Sequence, residues 1–390
     1  MKTILFYELS KMLGIKKALI CVSVVITLCI IIFFSRAIIN YNLFSYLTEV
    51  KMILTQTAGT LTPEQYSDAE ERYNEIINNN ENYIETDGIR KMKSDMQYEV
   101  EVLERIRYQN KLIEISRDSS ALQNQLNNAD ITRNRQILVQ HYLDMFSSKK
   151  DLVFGYNLFY DFYDSFMRNF APFILGFLII FTISPLFSTE YSTKMDSLIL
   201  SSKHGKRKVI LSKFIAAWIG TTVIFVLVMG TYICLCGLVF GFSGGKTSLA
   251  LMYYNTFQYM WSPYDLTMSQ FFLISLLISY FACIGLAAFV LFISSKSRNS
   301  LIVYTWGLGI YFIPLFFYAV DNGREYFGGI IDFSYSRIMQ VTPLFDKFQG
   351  YIIFGHVVMI KEILLVLLTF ATIIFSILAF HSFKHRQAVN

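Results

Sequence analysis

The chain has 390 residues, of which 54% are apolar, 16% aromatic and only 16% charged, with a formal net charge of +5. A soluble domain carries about a quarter charged residues. The apolar residues here gather in long blocks, which excludes an ordinary soluble enzyme and predicts an all-α polytopic membrane protein. All five cysteines (Cys21, Cys29, Cys234, Cys236, Cys283) lie inside apolar blocks, which excludes a disulfide framework.

Taken in chain order, Lys2, Lys11, Lys16 and Lys17 precede the apolar run Ala18 to Phe34. That run has the length of a membrane span rather than of a signal-peptide core, and no small-x-small cleavage site follows, so it reads as a retained first span over 17–39. The polar segment 40–167 carries 20 Asp and Glu against 13 Lys and Arg. It predicts a mostly helical domain. Thr62-Pro63-Glu64-Gln65 has capping-box spacing with Pro at the first helical position, and Asn78-Asn79-Asn80 breaks that helix. A second helix is expected from Ile89 to Ile115 and a third around Ile137, Leu138, Tyr142, Met145 and Phe146. The aromatic stretch "FGYNLFYDFYDSFMRNF" (154–170) is expected to anchor at the membrane interface. Five more spans follow at 168–188, 212–240, 269–294, 300–320 and 356–380.

With six spans, the basic stretches fall on one side. These are the N-terminal stub, the loop with Lys194, Lys203, Lys206, Arg207, Lys208 and Lys213, the turn with Lys296 and Arg298, and the tail with Lys384 and Arg386. The positive-inside rule makes that side cytoplasmic and both termini internal. Segment 40–167 and loops 241–268 and 321–355 then lie outside. Arg36 and Arg168 fall near span ends, where they are expected to snorkel. Lys361 and Glu362 are expected about a turn inside the sixth span, as a structural pair at the membrane edge or a lateral gate contact.

"FGFSGGKTSLA" (240–250) imitates a phosphate-binding loop. The Walker-A pattern requires a glycine five residues before Gly245, where Phe240 stands, and the preceding run is a span rather than a sheet strand. Nucleotide hydrolysis by this chain is not expected. His141, His204, His356, His381 and His385 form no metal-binding pair of the HExxH kind, so no metal site is expected either.

The loop "SPLFSTEYSTKMDSLILSSKHGKRKVILSK" (184–213) is more structured than a connector requires. Pro185 is expected to close the second span. Glu190 to Leu200 then forms a short amphipathic helix, with Tyr191, Met195, Leu198 and Ile199 on one face and Glu190 and Lys194 elsewhere. On the residues alone, this helix either docks in a groove of a soluble partner or lies on anionic lipid.

This loop resembles the coupling segment of permease subunits of type-2 ATP-binding-cassette exporters. Glu190 matches that family's glutamate, Leu198 and Leu200 its apolar pair, Arg207 its arginine and Lys213 the lysine at the next span. Lys194-Met195-Asp196 departs from the family's small-residue pair, and Ser201-Ser202 replaces its proline. "FYELSKMLGIKK" (6–17) is similar to the family's N-terminal elbow helix, and "QVTPLFDKFQGYIIFGH" (340–356) to its outer hairpin. The resemblance implies residues 1–39 as elbow helix and first span, and 40–167 as an extracellular insertion. Residues 168–390 form the five-span remainder, with a coupling loop at 189–211 and an outer hairpin at 321–355. It also implies a permease in a bacterial cell membrane that exports a peptide, lipid or drug-like amphipath. The permease would pair with a like or unlike second permease, contact membrane lipid, and be driven by two copies of a separate ATPase. ATP and Mg²⁺ would sit in that ATPase, with no cofactor in this chain and no nucleic-acid partner. The rival expectation is a membrane sensor whose outer domain binds a ligand and whose inner loop recruits a soluble protein.

Overall fold

The computed structural model describes residues 2–12, 14–41, 62–79, 132–147, 152–193, 205–252, 261–320 and 331–384, together with single residues 51, 55, 58, 59, 103, 123, 124, 126 and 259. Among the described residues, six helical segments are long and apolar enough to cross a membrane: Ala18–Arg36, Ala171–Ser192, Arg207–Phe240, Met268–Lys296, Ser300–Phe317 and Ile360–Phe383. A multi-pass membrane protein follows from length and composition, because only backbone satisfied within its own helix is tolerated in hydrocarbon.

In chain order, α1 (Lys2–Met12) precedes the first spanning helix, α2 (Ile15–Tyr41). The polar segment contributes α3 (Pro63–Asn79) and α4 (Arg133–Ser147). Pro63 opens α3, as the capping signal predicts, and Asn78 and Asn79 lie within the helix. The helix expected over 89–115 lies outside the described residues, apart from Leu103. Next come α5 (Leu158–Asn169), α6 (Ala171–Ile183) and α7 (Pro185–Ser192). The long spans α8 (Gly205–Phe240), α9 (Met268–Lys296) and α10 (Ser300–Val320) follow. The chain then forms α11 (Tyr335–Gln340), the antiparallel strands β1 (Gly350–Ile353) and β2 (His356–Met359), and α12 (Ile360–Lys384).

The second span lies at the centre, with 67% of its window buried against 17% for the first and last spans, whose outer faces are left for lipid. It packs against α8, α9 and α10, and the last span lies along α9.

Four expectations need correction. Pro185 does not close the second span: Ser184 keeps helical angles, the helix resumes as α7, and Glu190 sits near its end rather than opening a new helix. A proline has no N–H to offer the carbonyl four residues back, and here the hydroxyl of Tyr304, on α10, lies 3.4 Å from that orphaned Phe181 oxygen. The last span begins at Ile360 rather than 356, because His356–Met359 pairs with Gly350–Ile353 across a two-residue turn. Phe354 and Gly355 both have positive φ there, the geometry that matches strand twist. Among the described residues, the fold is therefore helical with one short hairpin. The aromatic stretch 154–170 is not an interfacial anchor: Phe159, Phe162, Tyr163 and Phe166 are buried inside the protein, and Phe166 stacks on Tyr232 at 3.8 Å. Burying these rings within the bundle removes more apolar surface from water than an interfacial position would. Finally, Arg36 is buried rather than snorkelling, with its guanidinium 5.7 Å from the centre of the Phe162 ring.

The Gly-Lys-Thr look-alike is a backbone clasp. Gly244 has φ +84°, and a Cβ there would stand 1.8 Å from the Tyr156 carbonyl oxygen. Only glycine fits that approach. Ser248 N–H donates to the Val153 carbonyl at 2.9 Å, and the Ser248 hydroxyl accepts from Val153 N–H at 2.9 Å. Met268 N–H donates to the Thr247 carbonyl at 2.9 Å, so the loop joins the chain before α5 to the start of α9. Lys246 is exposed.

Candidate functional site: a buried ion cluster at the α1 end

α1 places Leu5, Leu9 and Met12 against the bundle, with Met12 fully packed, and the same helical face carries Glu8. Glu8 thereby reaches the first turns of α8, where Lys213 has no exposed surface. Its Nζ donates to Glu8 Oε1 at 2.9 Å, to Glu190 Oε1 at 2.5 Å and to the Leu186 carbonyl at 2.7 Å. An ammonium has three N–H donors, and here each has an acceptor. The Phe187 ring closes the pocket, 5.4 Å from Nζ. Lys11 adds a second cation 3.9 Å from Glu190 Oε1. Burial pulls the Lys11 ammonium below the ordinary lysine range and the Lys213 charge acts the same way, while Glu190 and Glu8 oppose them. Two carboxylates and two ammonium groups thus balance inside protein, the condition under which buried charge is tolerated. Among the described residues, the second oxygens of Glu8 and of Glu190 have no hydrogen-bond partner.

Hydroxyl groups hold α7 in register around this cluster. Ser294 Oγ, from the end of α9, accepts from Phe187 N–H at 3.2 Å and Ser188 N–H at 3.3 Å, and donates to the Ser184 carbonyl at 2.7 Å. It serves the first turn of α7 as an N-cap side chain would, from a distant part of the chain. Ser188 Oγ lies 2.8 Å from Ser300 Oγ of α10, and the Tyr191 hydroxyl donates to the Ser295 carbonyl at 3.0 Å. Phe383, near the end of α12, packs on Phe187 at 5.0 Å. A displacement of α7 therefore pulls on α1, α8, α9, α10 and α12 together.

The sequence-predicted residues divide. Glu190 and Tyr191 are buried and tied as described. Arg207 is exposed in the first turn of α8 and takes no part in the ion cluster. Lys194, Met195, Leu198, Ile199 and Leu200 lie outside the described residues. Lys361 and Glu362 sit in the first turn of α12, at the opposite end, rather than a turn deeper. Lys361 lays its ammonium on the Tyr264 ring, 3.7 Å from the centroid, and Glu362 is exposed. Sequence reading passed over Glu8 and Ser294. The signal for Glu8 was an acid on the apolar face of a short helix, one turn from Leu5 and Met12.

A second buried polar group lies at the far end. Asp164, on α5, accepts from the Tyr259 hydroxyl at 2.6 Å, and Thr342 Oγ1 stands 3.3 Å from the same oxygen. Burial pushes this carboxyl above the usual aspartate range, outweighing the opposing charge of Arg168. Gln340 donates to the Arg168 carbonyl at 2.9 Å and accepts from Arg337. Between Gln340 and Thr342, buried Val341 holds φ 59°, a strained conformation for a β-branched residue.

Compared with known proteins, the chain matches no family model, no curated protein and no solved structure.

Proposed function

We propose that this chain is the membrane-spanning permease of an exporter driven by a separate cassette ATPase, in a bacterial cell membrane, with the α1 end facing the cytoplasm. The observation that carries the reading is Lys213. This buried ammonium joins the end of the second span, through Glu190, to the first turns of the third and, through Glu8, to the N-terminal helix. An ATPase seated below residues 189–211 would push on α7, and the Lys213 cluster and the Ser294 contact would pass that push to five helices as one body. Such a body is the kind of bistable element that alternates a transport path. The cargo would be a peptide, lipid or drug-like amphipath, moving between two permeases. ATP and Mg²⁺ belong to the ATPase.

The test is affinity purification of the tagged full chain from its native membrane. A cassette ATPase is expected to co-purify and to hydrolyse ATP in the complex, whereas the chain alone hydrolyses none. Arg207→Glu, at an exposed position, is expected to weaken that association without unfolding the chain. If no such ATPase accompanies the wild-type chain, the reading fails. The far-end cleft described next also suits a membrane sensor, which would keep its signalling phenotype in cells lacking the ATPase.

A further inference from the structure

At the far end, α4 leans on the hairpin and leaves a cleft of about 610 Å³. Tyr142, Trp261, Phe348 and Tyr351 form its aromatic walls, and Arg135 and Lys347 bring cations to it. Tyr142 and Phe348 stack at 4.7 Å with their planes 20° apart, and the Tyr142 hydroxyl donates to the Trp261 carbonyl at 3.3 Å, so that wall is preformed. No acidic side chain is among the described residues that line it. Arg135 and Lys347 are both exposed, and Trp261 is 47% exposed.

The height of the cleft is fixed by the backbone. The carbonyl of Gln349, a lining residue, accepts from the N–H of Ile360, the first residue of the last span, at 2.9 Å. The cleft thus opens level with the first residue of that apolar helix. Beside it, the hairpin turn presents Phe354, wholly exposed, with Ile353 and Tyr351 also outward. Amphipathic rings belong at headgroup depth, and cations there attract anionic lipid.

We infer that this cleft is a binding site for an anionic phospholipid, its phosphate held by Arg135 and Lys347 and its glycerol and upper acyl segments lying along Tyr142, Trp261 and Phe348. Charge complementarity selects the occupant: two cations, with no acid among the described lining residues, favour a net-negative headgroup over a zwitterion, and the aromatic walls favour an amphipath over a free anion. The site does not depend on whether the chain works with an ATPase.

Trp261 provides the reporter. The chain has three tryptophans, and Trp218 and Trp306 are exposed on spans, so Trp218→Phe with Trp306→Phe leaves a single-tryptophan protein. The full chain in neutral detergent is titrated with dihexanoyl phosphatidylglycerol, dihexanoyl phosphatidylcholine and sodium phosphate while Trp261 emission is followed. Phosphatidylglycerol is expected to saturate the change at about a tenfold lower concentration than phosphatidylcholine. Arg135→Gln with Lys347→Gln is expected to erase that difference, while Arg135→Lys with Lys347→Arg keeps it at an unchanged thermal midpoint. Equal response to both lipids, an unchanged response in the double glutamine variant, or saturation by phosphate alone would each overturn the assignment.

Discussion

The two ends of the bundle solve the problem of buried polarity in opposite ways. At the α1 end, full charges are brought inside and paired, with Lys213 shared between two carboxylates. At the far end, the buried Asp164 carboxyl is met by the Tyr259 and Thr342 hydroxyls and pushed by burial toward its neutral form, while the buried Arg337 guanidinium is held by Gln340 and Asp332. Charge pairing is demanding in geometry, so it fixes the register of the helices that supply it. Hydroxyl groups rotate to follow small shifts of their acceptor, and the network around Asp164 adjoins a strained valine. The α1 end is built as a rigid joint and the far end as an adjustable one.

The hardest test of that contrast is Lys213→Ala. It strands two buried carboxylates and is expected to cost about 3–5 kcal/mol, read as a large drop in the thermal midpoint of the purified chain. Replacing Glu8, Glu190 and Lys213 together by leucine or methionine should recover much of that loss. If the triple variant folds as well as wild type but no longer supports ATPase coupling, the cluster serves register rather than stability. Gly244→Ala strikes the far-end clasp, where the new Cβ collides with the Tyr156 carbonyl. About 1–3 kcal/mol is expected, with faster proteolysis between α5 and α9. A smaller effect, about 1 kcal/mol, is expected for Ser294→Ala, which removes the acceptor for two α7 amides. Hydrogen exchange at Phe187 and Ser188 should quicken first.

The mildest test uses pH. Because burial raises Asp164, folding favours the protonated acid. That contribution is complete below about pH 4, the ordinary aspartate value, and is lost as pH rises through the raised pKa. Asp164→Asn should match wild type near pH 4 and become the more stable of the two toward pH 8. A midpoint difference that stays flat across that range would remove the far end's claim to a neutral acid.

Much of the architecture was legible because a membrane span is a long and simple signal. Each of the six apolar blocks holds a spanning helix, and Pro63 placed the start of α3 from local chemistry alone. Errors arose where a short apolar run has no period of its own. His356–Met359 reads as the start of a span, and only its pairing with Gly350–Ile353 makes it a strand. Pro185 reads as a stop, yet distant Tyr304 supplies a donor to the carbonyl it orphans, and Ser294 holds the turn that follows. In the candidate site, Glu190 and Lys213 stood out only through the resemblance of their loop to a permease coupling segment. Glu8, Ser294 and the Tyr259–Thr342 pair meet their partners across long stretches of chain, and no local pattern records such meetings.

The Lys213–Glu8 bond also carries a sequence separation of 205 residues, which sets an order of events during synthesis. The carboxylate leaves the ribosome 205 residues ahead of its ammonium, which follows only after three spanning segments have begun. At the usual elongation speed of about 5–20 residues per second, Glu8 waits on the order of 10–40 seconds for its partner. During that interval α1 remains undocked, with its charge exposed to water. The same bond that stiffens the mature joint thus times its assembly: a chain that stalls before Lys213 displays a loose N-terminal helix, and a chain that passes it hides one.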